Sequence, residues 1–179
     1  MGAASVPGLT VGRFAVALRV SGVCGLALVL AACQAPPPAG PVAPSSPPPP
    51  RVEFLTTPES EAQGFPFSEA VRVGHMLYLS GQIGERRADT GEIKVVEGGI
   101  QAETRQAMDN IKAVLERYGS SLSRVVKCTV MIDDMSEWPA MNQVYATYFP
   151  GPKPARSAIG ADGLALGAKV EIECWATVD

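Results

Sequence analysis

Pro154-Ala155-Arg156-Ser157-Ala158-Ile159-Gly160, followed after a short loop by Lys169-Val170-Glu171-Ile172-Glu173, is the stretch that decides the reading of this chain. The first segment is extended and apolar and carries one arginine. The second alternates aliphatic and acidic residues with the two-residue period of a strand, so Glu171 and Glu173 face the same way. A guanidinium is a planar fork that grips a carboxylate through two parallel hydrogen bonds. A glutamate on a rigid strand can hold and polarise a water molecule. Together they would make a pocket for a carboxylate-bearing substrate that reacts with water. On residue types alone, an ion pair between Arg156 and Glu171 or Glu173 is the simpler reading.

Upstream, Val71-Arg72-Val73 and Met76-Leu77-Tyr78-Leu79-Ser80 read as two short strands across a Gly74-His75 turn, and Glu92-Ile93-Lys94-Val95-Val96 as a third. Ile100, Ala107, Met108, Ile111, Leu115 and Tyr118 recur at helical spacing, with polar residues opposite and Gly119 as the stop. Residues 125–132 are β-branched and strand-like. Asp134-Met135-Ser136-Glu137 has the pattern of a capping box opening a second helix to Phe149, with Pro139 in its first turn. Strands at about 155–159 and 168–178 complete a β-β-β-α-β-α-β-β order. That order predicts an α+β layer, with both helices packed on one face of a sheet.

The first 33 residues differ in kind. Arg13 and Arg19 are their only charges, and residues 20–32 form an apolar run of signal-peptide length, too short for a comfortable membrane span. The run ends in Leu30-Ala31-Ala32-Cys33, which resembles the bacterial lipobox; that resemblance implies lipidation of Cys33 and cleavage before it. Residues 34–50 follow with nine prolines in 17 positions. Such a segment favours extended polyproline II, reaching roughly 50 Å at about 3.1 Å per residue. The expected organisation is a lipoprotein signal peptide at 1–33, a Pro-rich tether at 34–62 and one domain at 63–179.

Pro154-Ala155-Arg156-Ser157 with Val170-Glu171-Ile172-Glu173 resembles the C-terminal signature of the Rid family, the RidA/YjgF-like enamine and imine deaminases. Ser80-Gly81-Gln82-Ile83, Asn110-Ile111-Lys112, Val125-Val126-Lys127 and Asn142-Gln143-Val144-Tyr145 recur in the family's order. The resemblance implies a chorismate-mutase-like fold, a mixed sheet in a homotrimer with clefts between subunits. It also implies cofactor-free hydrolysis of 2-enamino or 2-imino acids to 2-keto acids and ammonia. It reverses the ion-pair reading: Arg156 falls on the arginine that binds the substrate carboxylate, and Glu171 on the glutamate that positions water. Ser80, Gly81 and Asn142 fall on pocket positions. Phe67 stands where many members have tyrosine, and Ala158 where they often have cysteine, so two polar groups are lost from the substrate-binding set. Those losses favour an alternative function, a membrane-tethered module that binds small carboxylates without turnover.

Other chemistries fit poorly. Without Arg13 and Arg19 the chain keeps 13 basic and 18 acidic residues, a net charge of −5 with no basic cluster, so nucleic acid has little electrostatic footing. Arg86-Arg87 reads as a solvated loop. No metal is expected: His75 is the only histidine, and no zinc-type Cys/His spacing exists. The loop at 160–167 lacks the Lys and Ser of a phosphate-binding motif. Cys128 and Cys174 read as two buried small hydrophobes, with a disulfide possible in an oxidising compartment.

The anchor gives a direct test. The full-length protein is expected to enter the detergent phase, and Cys33→Ser to leave it or to block processing. Equal partitioning of the two forms would contradict lipidation at Cys33.

Overall fold

The computed structural model of the protein describes residues 47–88 and 91–179. The expected signal, Cys33 and the tether up to residue 46 lie outside the described residues. In chain order the elements are β1 (Val52–Leu55), α1 (Pro58–Ala62), β2 (Ala70–Val73), β3 (Met76–Leu79), β4 (Gln82–Ile83), β5 (Glu85–Arg87), β6 (Ile93–Val95), α2 (Gly99–Arg117), β7 (Val125–Ile132), α3 (Trp138–Thr147), β8 (Ala155–Gly160) and β9 (Val170–Thr177). The main sheet runs β1-β2-β3-β9-β7-β8, with β4 also on β9; β5 and β6 form a separate hairpin. Among the described residues, only β7 and β8 pair in parallel. A parallel pair needs a crossover, and α3 provides it.

The two-residue period of the strands builds one dry face. Cys128, Val130 and Ile132 of β7 and Val170, Ile172, Cys174 and Ala176 of β9 are buried there with Leu77 and Leu79 of β3. The apolar stripe of α2 packs on them through Met108, Ile111 and Leu115, and α3 adds Met141 and Tyr145. Each such aliphatic side chain contributes about 1.5–3 kcal/mol by leaving water. Gly119, at φ 81, ends α2 in a conformation other residues rarely adopt. The expected α+β layer, with both helices on one face of a mixed sheet, is present.

Among the described residues, the opposite face is partly open. Phe54, Val71, Tyr78 and Trp175 are successive register partners across four strands, and they make an apolar row on that face. Phe54 is 74% exposed and Trp175 39%.

Four expectations change. The domain begins before residue 63: Val52–Leu55 pairs with β2, and α1 follows it, so these residues leave the tether. Four residues beside a proline run and a five-residue helix carry too little periodicity to be read from sequence. Arg86-Arg87 lies in a strand rather than a loop, and the two guanidinium groups are held by Gln106 and the Gly91 carbonyl. The capping box is half made. Asp134 accepts from the Ser136 amide at 2.8 Å and caps a single 3-10 turn, while Glu137 turns to Lys169 Nζ at 2.6 Å. Cys128 and Cys174 are buried as expected but joined in a disulfide, because antiparallel register sets them opposite each other with Cα atoms 4.1 Å apart.

Glu69 ties the new N-terminal segment to α2. Its carboxylate accepts from Ser60 Oγ at 2.8 Å, Arg117 Nη1 at 2.6 Å and Tyr118 Oη at 2.8 Å. Burial alone would raise its pKa; the bonds from Tyr118, Ser60 and Arg117, with the Arg117 charge, outweigh that and hold it below the ordinary 4.5. A carboxyl depressed by folding stabilises the folded state above its unfolded pKa, and that contribution is lost as pH falls through the folded value. Arg117 is nearly half exposed, so solvent discounts the ion pair. Glu69→Gln is therefore expected to cost about 1–2 kcal/mol at pH 7 by denaturant unfolding. The gap to wild type should close as pH drops below 4.5, and a gap independent of pH would contradict this assignment.

Candidate active site

The residues singled out in the sequence form two groups. The first lies at the outer edge of the sheet. Arg156 pairs in register with Cys128, so its side chain leaves β8 on the helix side and reaches α3. There its Nη1 donates to Asn142 Oδ1 at 2.8 Å, and its Cζ lies 4.8 Å from the centre of the Tyr145 ring. Ala158, two residues on, is half-buried against the core on the same side. Among the described residues no carboxylate forms an ion pair with Arg156. The charge is placed but not neutralised.

The second group surrounds a cavity of about 340 Å³ lined by Phe67, Gly81 and Glu171, with Phe65, Glu69 and Glu85 beside them. Glu171 pairs with Met131, an odd number of residues from Cys128, so it leaves the sheet on the face opposite to Arg156. Its carboxylate lies against Gly81: a Cβ built there would fall 1.9 Å from Oε1, so any side chain at 81 would displace it. Burial, and then the negative charge of Glu173, push the Glu171 carboxyl above its ordinary pKa. Burial raises Glu85 likewise, against the lowering effect of Arg87. A carboxylate made more basic by burial suits proton transfer with water better than an ordinary surface glutamate does.

These geometries sit in a fold with known relatives. A family model described as Endoribonuclease L-PSP matches residues 58–178. The 2-iminobutanoate/2-iminopropanoate deaminase of Mus musculus is 38% identical over 124 residues, 69% of this chain and 90% of the mouse protein. The protein of the same name from Dermatophagoides farinae is 40% identical over 126 residues, 70% of this chain and 96% of that protein. Among solved structures, YyfA of Yersinia pestis, described as a protein of unknown function of the conserved Rid family, superposes with a TM-score of 0.63. It is 37% identical, and the match covers 72% of this chain and all of that one. This chain belongs to the Rid family.

The other residues singled out in the sequence lie around the two groups. Ser80 does not open into the cavity; its Oγ donates to the Ser68 carbonyl at 2.6 Å and its amide to Glu69, which pins the loop carrying Phe67. Phe67 is 56% exposed and stacks on Phe65 with ring centres 5.1 Å apart, and the pair forms an apolar wall of the cavity. Asn142 sits on α3 as the acceptor for Arg156. The ion pair of Arg156 with Glu171 or Glu173 is ruled out by register, because both acids leave the other face. Sequence reasoning missed Glu85, Phe65, Trp138 and Tyr145. The last two had a signal: Trp138, Asn142 and Tyr145 stand at i, i+4 and i+7, one face of one helix. Phe65 and Glu85 had none, since only the fold brings them to the cavity.

Proposed function

We propose that the protein hydrolyses 2-imino acids, reached from their enamine tautomers, to 2-keto acids and ammonia. The observation that carries this is the uncompensated Arg156 guanidinium together with a basic, cavity-lining Glu171. The names of the mouse and mite relatives support turnover over simple capture. A protonated imino acid carries a carboxylate at one end and an iminium at the other. Arg156 pairs with the first, and the acidic cavity of Glu171 and Glu85 favours the second. Water held by Glu171 attacks the imine carbon and gives up a proton to the carboxylate. That proton returns to nitrogen; as the C–N bond breaks, the hydroxyl's own proton passes to Glu171 and on to the departing ammonia, so iminium and water become keto acid and ammonium. The substrate is already electrophilic, and orientation with modest electrostatic help suffices.

Arg156 and Glu171 cannot share a substrate within one copy, because they leave opposite faces. The reading therefore includes a homotrimer, in which the Arg156 edge of one copy meets the Glu171 cavity of the next. The row of Phe54, Tyr78 and Trp175, exposed at Phe54 and Trp175 and half-buried at Tyr78, supports assembly, since a contiguous apolar face of this kind is rare on a monomer. Cleavage of RNA, which the family model's description would suggest, is disfavoured by the net charge of −3 and a carboxylate-lined cavity. We place the domain outside the cytoplasm on a lipid at Cys33. The lipobox-like Leu30-Ala31-Ala32-Cys33 and the Cys128–Cys174 disulfide support that location.

Ammonia release from an imine generated in situ tests the reaction. Wild type should accelerate it, and Arg156→Lys, which keeps charge but loses the two-point grip, should lose more than about tenfold. Glu171→Gln should still bind 2-oxobutanoate while reacting more slowly. Binding of 2-oxobutanoate without any acceleration would identify a capture module instead, and no effect of Arg156→Lys on rate or binding would contradict both readings.

A further inference from the structure

Helix α3 presents Trp138, Asn142 and Tyr145 on one face, and all three meet the Arg156 guanidinium. Asn142 Oδ1 fixes one edge of the fork through Nη1. The Tyr145 ring lies 4.8 Å from Cζ and the Trp138 ring 6.0 Å, within the range in which an aromatic face attracts a cation. Nothing in the reading above uses Trp138 or Tyr145.

We propose that Trp138 and Tyr145 are positioning residues, an aromatic cradle that holds the Arg156 guanidinium for substrate carboxylate while leaving its charge unspent. The proposal rests on the carboxylate-binding role of Arg156 and extends it to the device that orients the group. A carboxylate partner would hold an arginine more tightly, but it would also compete with the substrate for the same donors. Aromatic faces and an amide oxygen hold the group through its π surface and a single N–H, and leave the other donors for an incoming anion.

Within the cradle the Tyr145 ring acts and its hydroxyl does not. Tyr145 is 95% buried by its relative exposure of 5%, and its Oη has no hydrogen-bond partner among the described residues. A buried hydroxyl without a partner is unfavourable, so phenylalanine should serve in its place. Trp138 is 41% exposed at the rim, so its replacement need not disturb the core. The two residues thus separate the cradle from general packing.

The experiment measures 2-oxobutanoate affinity and unfolding midpoints on the full chain for Trp138→Leu, Trp138→Phe, Tyr145→Phe and Tyr145→Leu, each also combined with Arg156→Met. Losing one aromatic face should weaken 2-oxobutanoate binding roughly threefold to thirtyfold in Trp138→Leu and Tyr145→Leu. Tyr145→Phe should bind within about twofold of wild type, and Trp138→Phe should recover most of the loss seen in Trp138→Leu. The stability costs of Trp138→Leu and Tyr145→Leu should shrink once Arg156 is methionine, because the contact they break is then gone. Wild-type affinity in Trp138→Leu, or stability costs that add without coupling to Arg156→Met, would overturn the cradle. Should wild type fail to bind 2-oxobutanoate, the carboxylate-binding reading falls, and the unfolding cycle still decides whether the rings hold Arg156.

Discussion

The two-residue period of the sheet is the constraint on which the rest depends. Cys128 and Met131 lie three apart on β7, so the strands paired to them send Arg156 and Glu171 to opposite faces. A register slip of one residue in β8 would turn Arg156 out and bury Ser157 against α3. The same alternation sets Cys128 opposite Cys174, aligns the apolar row on the other face and stacks the dry face under α2. One geometric rule thus decides the core, the disulfide and the division of the site.

That division gives each half its own electrostatics. On the helix side, the Asn142 amide oxygen and the rings of Trp138 and Tyr145 lie against the arginine, and no carboxylate among the described residues pairs with it. In the cavity, Glu171 is pressed against Gly81 and made more basic by burial and by Glu173. An opposite charge close to either group would reverse these properties: it would neutralise Arg156 and lower the Glu171 pKa. Separation on one copy therefore keeps the two groups from pairing with each other, and in the proposed trimer assembly would set them across a substrate.

How much of this was legible in the sequence differs by scale. Long periodic segments were readable: α2 from its apolar stripe, and β7 and β9 from β-branched alternation. Motif spacing singled out Arg156, Glu171, Gly81 and Asn142, and the structure brings Arg156 to Asn142 and Glu171 to Gly81. Short elements were not: β1 and α1 follow a run of prolines and are fixed by pairing with β2 and by the Glu69 network rather than by propensity. Ser80, expected in the pocket lining, instead donates its hydroxyl to the Ser68 carbonyl rather than facing the cavity. The opposite-face placement of Arg156 and Glu171 needed the register of three strands, which no single segment encodes.

The account stands on a site completed between copies, and subunit complementation tests it most directly. Chains carrying Arg156→Met and chains carrying Glu171→Gln would be unfolded together, reassembled in equal amounts and assayed for ammonia release from an imine generated in situ. Each variant alone should be nearly inactive. In a closed ring with one site per subunit contact, random mixing leaves about one site in four with both wild-type groups, and activity should return to about that fraction of wild type. Mixed assemblies no more active than either parent would place both residues in one copy's site, or deny them a shared one, and would contradict the account.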